Sequence, residues 1–149
     1  MHAHRVVTTP GSRSIAVPTD EKTMKLEKVH HVAIICGDYE KAKHFYVDLL
    51  EFEMIDEHIR PARNDRIMNL RCGDQQIELF IMPDAPARLT FPEGRGLRHL
   101  AFSVGDVDAM AAQLAAKGIE TQPVRIDPYT GEKMTFFFDP DGLPIEIRE

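Results

Sequence analysis

The chain repeats itself at an offset of 68 residues. Residues 31–38 read HVAIICGD and residues 99–106 read HLAFSVGD, so four of these eight positions are identical. The same offset relates the segment IEL at residues 77–79 to the segment IEI at residues 145–147. One offset shared by two distant pairs of segments indicates an internal duplication, in which each half carries a His and a Glu separated by 47 residues.

Each half also has the same predicted order of elements, a strand, a helix and three more strands. Runs rich in β-branched residues predict the strands, and an Asp followed by apolar residues at helical spacing predicts each helix. The predicted fold class is therefore α+β, with two tandem βαβββ modules. The first module has strands at 29–36, 52–59, 67–72 and 75–81 with a helix after Asp38, and the second has strands at 97–104, 119–126, 135–138 and 144–148 with a helix after Asp106.

Composition sets the domain limits and excludes several classes of partner. We interpret residues 1–25 as an N-terminal extension of turn-like composition, and residues 26–149 as one domain with modules at 26–82 and 97–149. A net charge of −6 without a basic stripe argues against nucleic acid, and no apolar run has the length of a membrane helix. The two cysteines, Cys36 and Cys72, lie in apolar stretches, which is typical of packing residues in a reducing, cytoplasmic compartment.

Four residues of the repeat are candidate ligands of one divalent metal ion. Glu78 and Glu146 each lie at the centre of an apolar strand, where an unpaired carboxylate is costly to bury. Each is matched to a histidine, His31 or His99, by the same separation. Two imidazoles and two carboxylates suit Ni²⁺, Co²⁺, Zn²⁺, Mn²⁺ or Fe²⁺ rather than Cu(I) or Ca²⁺. His30 would point to the opposite face of the strand, so we expect it to be solvated or structural.

Several motifs resemble the vicinal oxygen chelate superfamily, which includes glyoxalase I. The resemblance spans residues 26–149 and implies that two curved sheets form a half-open cleft around the metal. It also implies a homodimer, because in many such proteins one site takes a module from each subunit. The supporting segments are HVAIICGD at 31–38, FYVDLLEF at 45–52, IEL at 77–79, HLAFSV at 99–104 and DPDGLPIE at 139–146.

The resemblance also implies an activity. The full His/Glu/His/Glu set is typical of bacterial glyoxalase I, whereas methylmalonyl-CoA epimerase typically has Gln where Glu78 stands. A lyase or isomerase is therefore expected, which moves a proton next to a carbonyl through a metal-bound enediolate, with Glu146 as the first candidate base and Glu78 as its counterpart. The substrate would be a small molecule with adjacent oxygens. The alternatives are an epimerase of an α-substituted carbonyl compound, a thiol transferase or drug-resistance protein, and an iron-dependent dioxygenase.

The substrate-binding positions differ from those of glyoxalase I. That enzyme typically has an Arg and an Asn that help to hold glutathione, and Ile35 and Met82 occupy those positions in this chain. A glutathione adduct is therefore not the expected substrate. The basic cluster Arg60, Arg63 and Arg66 is a candidate site for a substrate carboxylate or phosphate, and the loop residues Tyr129 and Lys133 are candidates to cover the cleft.

Overall fold

A computed structural model describes residues 25–149 of the chain. The N-terminal extension predicted at residues 1–25 therefore lies outside the described residues, apart from Lys25. Among the described residues, no helix is both long and apolar enough to cross a membrane. The first module contains β1 (His31–Cys36), α1 (Tyr39–Lys43), a π-helical turn (His44–Leu49), β2 (Glu53–Arg60), a 3₁₀ turn (Pro61–Arg63), β3 (Asp65–Cys72) and β4 (Gln75–Ile81).

The second module repeats this order, and each module forms its own four-stranded sheet. The sheets have the orders β1-β4-β3-β2 and β5-β8-β7-β6. In both, the first strand pairs in parallel with the last, and the other pairs are antiparallel. The predicted α+β fold with two βαβββ modules is thus confirmed. The second module contains β5 (Leu100–Ser103), α2 (Val107–Ala116), β6 (Arg125–Ile126), β7 (Lys133–Phe138) and β8 (Pro144–Arg148).

Two predicted strands of the second module are much shorter than expected, for local chemical reasons. The guanidinium of Arg88 donates to the backbone carbonyls of Leu97 and Arg98, so these residues do not join β5. Pro123 has no backbone N–H to donate, and β6 is confined to Arg125–Ile126. Both predicted helix caps are present, since the Asp38 and Asp106 side chains accept backbone N–H groups of the first helical turns.

One hydrophobic core spans both modules. Alternate residues of β4 are buried on one face of the first sheet, and Ile145 and Ile147 of β8 are buried in the same way in the second. Phe45 and Tyr46, in the π-helical turn, join these faces, and Phe45 packs against Phe137 of β7 with ring centroids 6.2 Å apart. The core therefore occupies one face of each sheet and leaves the opposite faces for the candidate ligands.

The turn between β7 and β8 ties the second module to the first. The Tyr46 hydroxyl donates to Asp139 Oδ2 at 2.7 Å, and the backbone N–H of Gly37 donates to the Asp141 carboxylate at 3.2 Å. The other Asp139 oxygen accepts the backbone N–H of Leu143 at 2.7 Å. Burial raises the pKa of the Asp139 carboxyl, which these hydrogen bonds partly oppose, and burial together with the Asp139 charge raises the pKa of the Tyr46 phenol.

We expect Tyr46→Phe to lower the free energy of unfolding by about 2 kcal/mol, because it removes a donor from a buried carboxyl group. Urea denaturation followed by circular dichroism measures this loss. Tyr129→Phe is the matched control, since Tyr129 is 95% exposed and its stability should not change. Equal stabilities of the two variants would contradict the structural role of the Tyr46–Asp139 hydrogen bond.

Candidate functional site

The first module places His31 beside Glu78. The parallel pairing of β1 with β4 sets Glu78 opposite Ala33, and His31 lies two residues earlier on the same face of β1. The distance from His31 Nε2 to Glu78 Oε2 is 3.5 Å, and both side chains are partly exposed. We call His31 and Glu78 the N-terminal half-site.

The second module repeats this arrangement with a more buried carboxylate. The pairing of β5 with β8 sets Glu146 opposite Ala101, and His99 lies two residues before Ala101. His99 Nε2 is 3.0 Å from Glu146 Oε2, and Glu146 is only 4% exposed. The other carboxylate oxygen lies 3.5 Å from Nη1 of Arg148. We call His99 and Glu146 the C-terminal half-site.

A single chain presents these half-sites as two separate pairs. Within residues 25–149, the only group of three or more His, Cys, Asp or Glu side chains with ligand atoms mutually within 4.8 Å is Cys36, Asp139 and Asp141. The structure thus brings each predicted histidine to its predicted glutamate, but it does not gather three or four of these residues around one point.

The Cys36 group is a poor metal site. Burial raises the pKa of the Cys36 thiol far above its ordinary value, and the negative charges of Asp139 and Asp141 raise it further, which disfavours the thiolate form that binds metals. The two carboxylates already accept hydrogen bonds from Tyr46 and from backbone N–H groups. These three residues fit a structural role in the turn.

The half-sites are chemically better suited to a divalent ion. In each, an imidazole Nε2 faces a carboxylate oxygen, and these are donors of the type that Ni²⁺, Co²⁺, Zn²⁺, Mn²⁺ and Fe²⁺ accept. Each half supplies two such donors. A four-ligand site therefore requires both halves.

His30 lies against His31 instead of on the opposite face. The Nδ1 atoms of the two rings are 2.9 Å apart, and the rings meet edge to face with centroids separated by 5.1 Å. The prediction of opposite faces was wrong because β1 begins at His31, so strand alternation does not extend to His30. This hydrogen bond holds the His31 ring through Nδ1 and leaves Nε2 facing Glu78.

Two arginines of the basic cluster that is a candidate anion site already have partners. Arg60 makes a two-point contact with Asp65 at 2.7 and 2.6 Å. Arg66 lies 3.4 Å from Glu57 and stacks on the ring of Tyr39 at 3.9 Å. Two of the three arginines are therefore held by neighbouring side chains.

The two loop residues predicted to cover the cleft occupy different settings. Tyr129 lies in the turn after β6 and is 95% exposed. Lys133 belongs to β7 and forms an ion pair with Asp108 of α2. The ammonium group of Lys133 is thus directed to a helix of its own module.

Three residues beside the half-sites were not assigned from the sequence. Asn69 lies opposite Glu78 across β3 and β4, and its Oδ1 is buried without a hydrogen-bond partner in the described residues. Phe136 lies opposite Glu146 across β7 and β8. The guanidinium carbon of Arg125 is 5.3 Å from the centre of the Phe136 ring. Pairing the two strands around the DPDG turn would have placed Phe136 next to Glu146.

Comparisons with known proteins agree with this fold. The family model described as "Glyoxalase/Bleomycin resistance protein/Dioxygenase superfamily" matches residues 28–147. "Uncharacterized protein YwkD" of Bacillus subtilis (strain 168) is 54% identical over 127 residues, which are 85% of this chain and 99% of that protein. The solved structure of a "glyoxalase family protein from Enterococcus faecalis" has 50% identity and a TM-score of 0.81, covering 85% of this chain and 100% of the other. The "2-epi-5-epi-valiolone epimerase" of an Actinomyces species is 29% identical over 80% of this chain and 77% of that enzyme.

We expect Cys36→Ala to leave the stoichiometry of Co²⁺ or Zn²⁺ binding unchanged, because burial disfavours the thiolate and the neighbouring carboxylates already accept hydrogen bonds. Isothermal titration with each ion, together with elemental analysis of the purified protein, measures this stoichiometry. His99→Ala serves as the comparison variant, and its metal content should fall. A loss of metal in Cys36→Ala with normal content in His99→Ala would reassign the metal to the β7–β8 turn.

Proposed function

Because this chain belongs to the glyoxalase/bleomycin resistance protein/dioxygenase superfamily, we propose that it is a metal-dependent enzyme that transfers a proton at a carbon next to a carbonyl group. The observation that carries this proposal is the duplicated His–Glu pair, which occupies the same register in both sheets. His31, Glu78, His99 and Glu146 would together hold one Ni²⁺, Co²⁺, Zn²⁺, Mn²⁺ or Fe²⁺ ion.

We propose that a second copy of the chain completes the site. In the described part of the chain, β1 and β5 are edge strands, each paired on one side only. Ile35, on the same face of β1 as His31, is 56% exposed, although it is a large apolar residue. A two-fold dimer that brings the N-terminal half-site of one protomer to the C-terminal half-site of its partner would form two identical four-ligand sites.

The two glutamates are the proposed proton-transfer groups. The bound ion would supply Lewis-acid stabilisation of the negative charge that develops on a substrate oxygen. Glu146 is our candidate base, because its nearly buried carboxylate is held between His99 and Arg148. Glu78 is more exposed and is the candidate to return the proton from the other side.

The substrate of this proposal is a small carbonyl compound with adjacent oxygens, and not a glutathione adduct. Ile35 is an exposed apolar side chain on the face of β1 that carries His31, so it offers no charge to a glutathione carboxylate. Met82 follows β4, and its backbone N–H donates to the Cys36 carbonyl at 2.8 Å. Neither side chain provides the hydrogen-bond donors that hold a charged tripeptide.

An epimerase is the second candidate function. The relative named 2-epi-5-epi-valiolone epimerase supports it, as does the presence of two carboxylates that would flank one carbon. Both candidates begin with removal of a proton next to a carbonyl. They differ in the face or carbon that receives the proton, so the configuration of the labelled product distinguishes them.

In deuterated water, we expect the metal-loaded protein to introduce deuterium next to the carbonyl of an α-hydroxy-ketone or a hemithioacetal, as followed by proton NMR. Glu146→Gln should slow this exchange by at least about 100-fold, because it removes the proposed base. Glu120→Gln is the matched control, since Glu120 is exposed, and it should retain the wild-type rate. Tight metal binding without exchange in any of these compounds would count against proton transfer.

The shared site is tested by mixing two inactive variants. We expect His31→Ala and His99→Ala each to lose the metal, because each breaks both sites of a symmetric dimer. After the two proteins are unfolded and refolded together, each mixed dimer would contain one intact site, so about a quarter of the wild-type metal content should return. Elemental analysis after gel filtration measures it. A site formed within one chain would show no recovery.

A further inference from the structure

A small cavity adjoins the C-terminal half-site. It has a volume of about 110 Å³, and its wall includes His99, Phe136, Arg125, Gln122 and Arg98. At about 30 Å³ per water molecule, this space corresponds to roughly four waters. A fragment of a few carbon atoms would fill it.

Arg125 is the guanidinium of this cavity without an acidic partner in the described residues. Its recorded contacts are with the Gln122 amide oxygen at 3.4 Å and with the face of the Phe136 ring at 5.3 Å. Arg98, in contrast, is paired with Glu93 at 2.8 Å. The cavity therefore contains one arginine whose charge no acidic side chain within residues 25–149 neutralises.

The position of Arg125 relates it to the reacting centre. The Phe136 ring packs edge to face against the His99 ring, with centroids 5.2 Å apart, and the Arg125 guanidinium carbon lies 5.3 Å from the centre of the same ring. The guanidinium and the imidazole thus both lie beside one phenyl ring. A guanidinium held over an aromatic ring still has N–H donors in its own plane, and these suit a planar anion.

We propose that Arg125 binds the carboxylate of the substrate, and that the substrate is a short keto acid. The proposal rests on the proposed function, because the ketone end is assigned to His99 and its metal-binding partners. His99 and Arg125 line the same cavity of about 110 Å³, so only a few carbon atoms fit between the carboxylate and the reacting carbonyl. A carboxylate matches the fork of N–H donors on the guanidinium, and this two-point contact is charge-assisted.

The paired arginines elsewhere strengthen this assignment. Arg60 and Arg66, two of the three arginines named above as candidate substrate contacts, are held by Asp65 and Glu57. Arg148 is likewise surrounded by acidic side chains. Arg125 combines an available charge with a cavity next to a candidate metal ligand.

The test uses 4-oxopentanoate as the probe and its uncharged amide as the comparison ligand. Both are titrated into the full-length protein, first without metal and then with Zn²⁺, and binding is followed by amide chemical shifts in NMR spectra. We expect 4-oxopentanoate to shift the signals of Gln122, Arg125 and Phe136, and the amide to bind at least about tenfold more weakly.

Arg125→Gln should weaken binding of 4-oxopentanoate by about tenfold or more, whereas Arg125→Lys should lose less because it keeps the charge. Arg95→Gln is the charge-matched control, since Arg95 is an exposed residue of the connector between the modules, and it should bind as the wild type does. Equal binding of the acid and its amide, or unchanged binding in Arg125→Gln, would overturn the carboxylate subsite.

The metal-free titration separates this proposal from the proposed function. Carboxylate binding that depends on Arg125, in a protein that binds no divalent ion, would support the subsite and count against the metal-dependent activity. Metal binding and deuterium exchange that do not depend on Arg125 would support the metal-dependent activity and count against the carboxylate subsite.

Discussion

The parallel pairing of the first and last strands of each module is the constraint on which the candidate site depends. A parallel pair fixes which residues lie side by side, and here it sets a glutamate opposite an alanine that follows a histidine by two positions. The histidine is not directly opposite the glutamate but two residues before the alanine that is. Because alanine is small, the imidazole can reach the carboxylate diagonally across the strand pair. A slip of one residue would turn Glu78 or Glu146 to the apolar core. The register that buries the core therefore also aligns the half-sites.

Much of this arrangement follows from the sequence. The 68-residue offset predicted both modules, and the bounds of β8 agree with the predicted strand at 144–148. The turn at residues 139–142 contains Pro and Gly, and it predicted where β7 ends and β8 begins. The same offset predicted the His–Glu pairing in each half, because side chains at equal positions of a duplicated sheet have equivalent neighbours.

Other features depended on contacts that no local pattern records. The side chain of Arg88 reaches the carbonyls of residues 97 and 98 and shortens β5, which is an interaction across a connector. The acidic partners of Arg60 and Arg66 come from the neighbouring residues of a hairpin, so a basic cluster in the sequence became a set of ion pairs in the fold. Whether the two half-sites meet depends on how one module packs against another. Each module forms its own His–Glu pair regardless of that packing. The meeting of the two half-sites stays a prediction.

The hydrogen-bonded turn at residues 139–142 has a consequence for the duplication itself. At the offset of the repeat, Arg71 and Gly73 stand where the second half has Asp139 and Asp141, and Leu114 stands where the first half has Tyr46. The carboxylate acceptors and the phenolic donor of this turn therefore have no equivalents in the other half of the chain. Two copies of the same half could not reproduce this junction, so the halves are no longer interchangeable. The two modules now differ at a few polar positions that form the hydrogen bonds between them. These hydrogen bonds favour contact of a first module with a second module over contact between two copies of the same module.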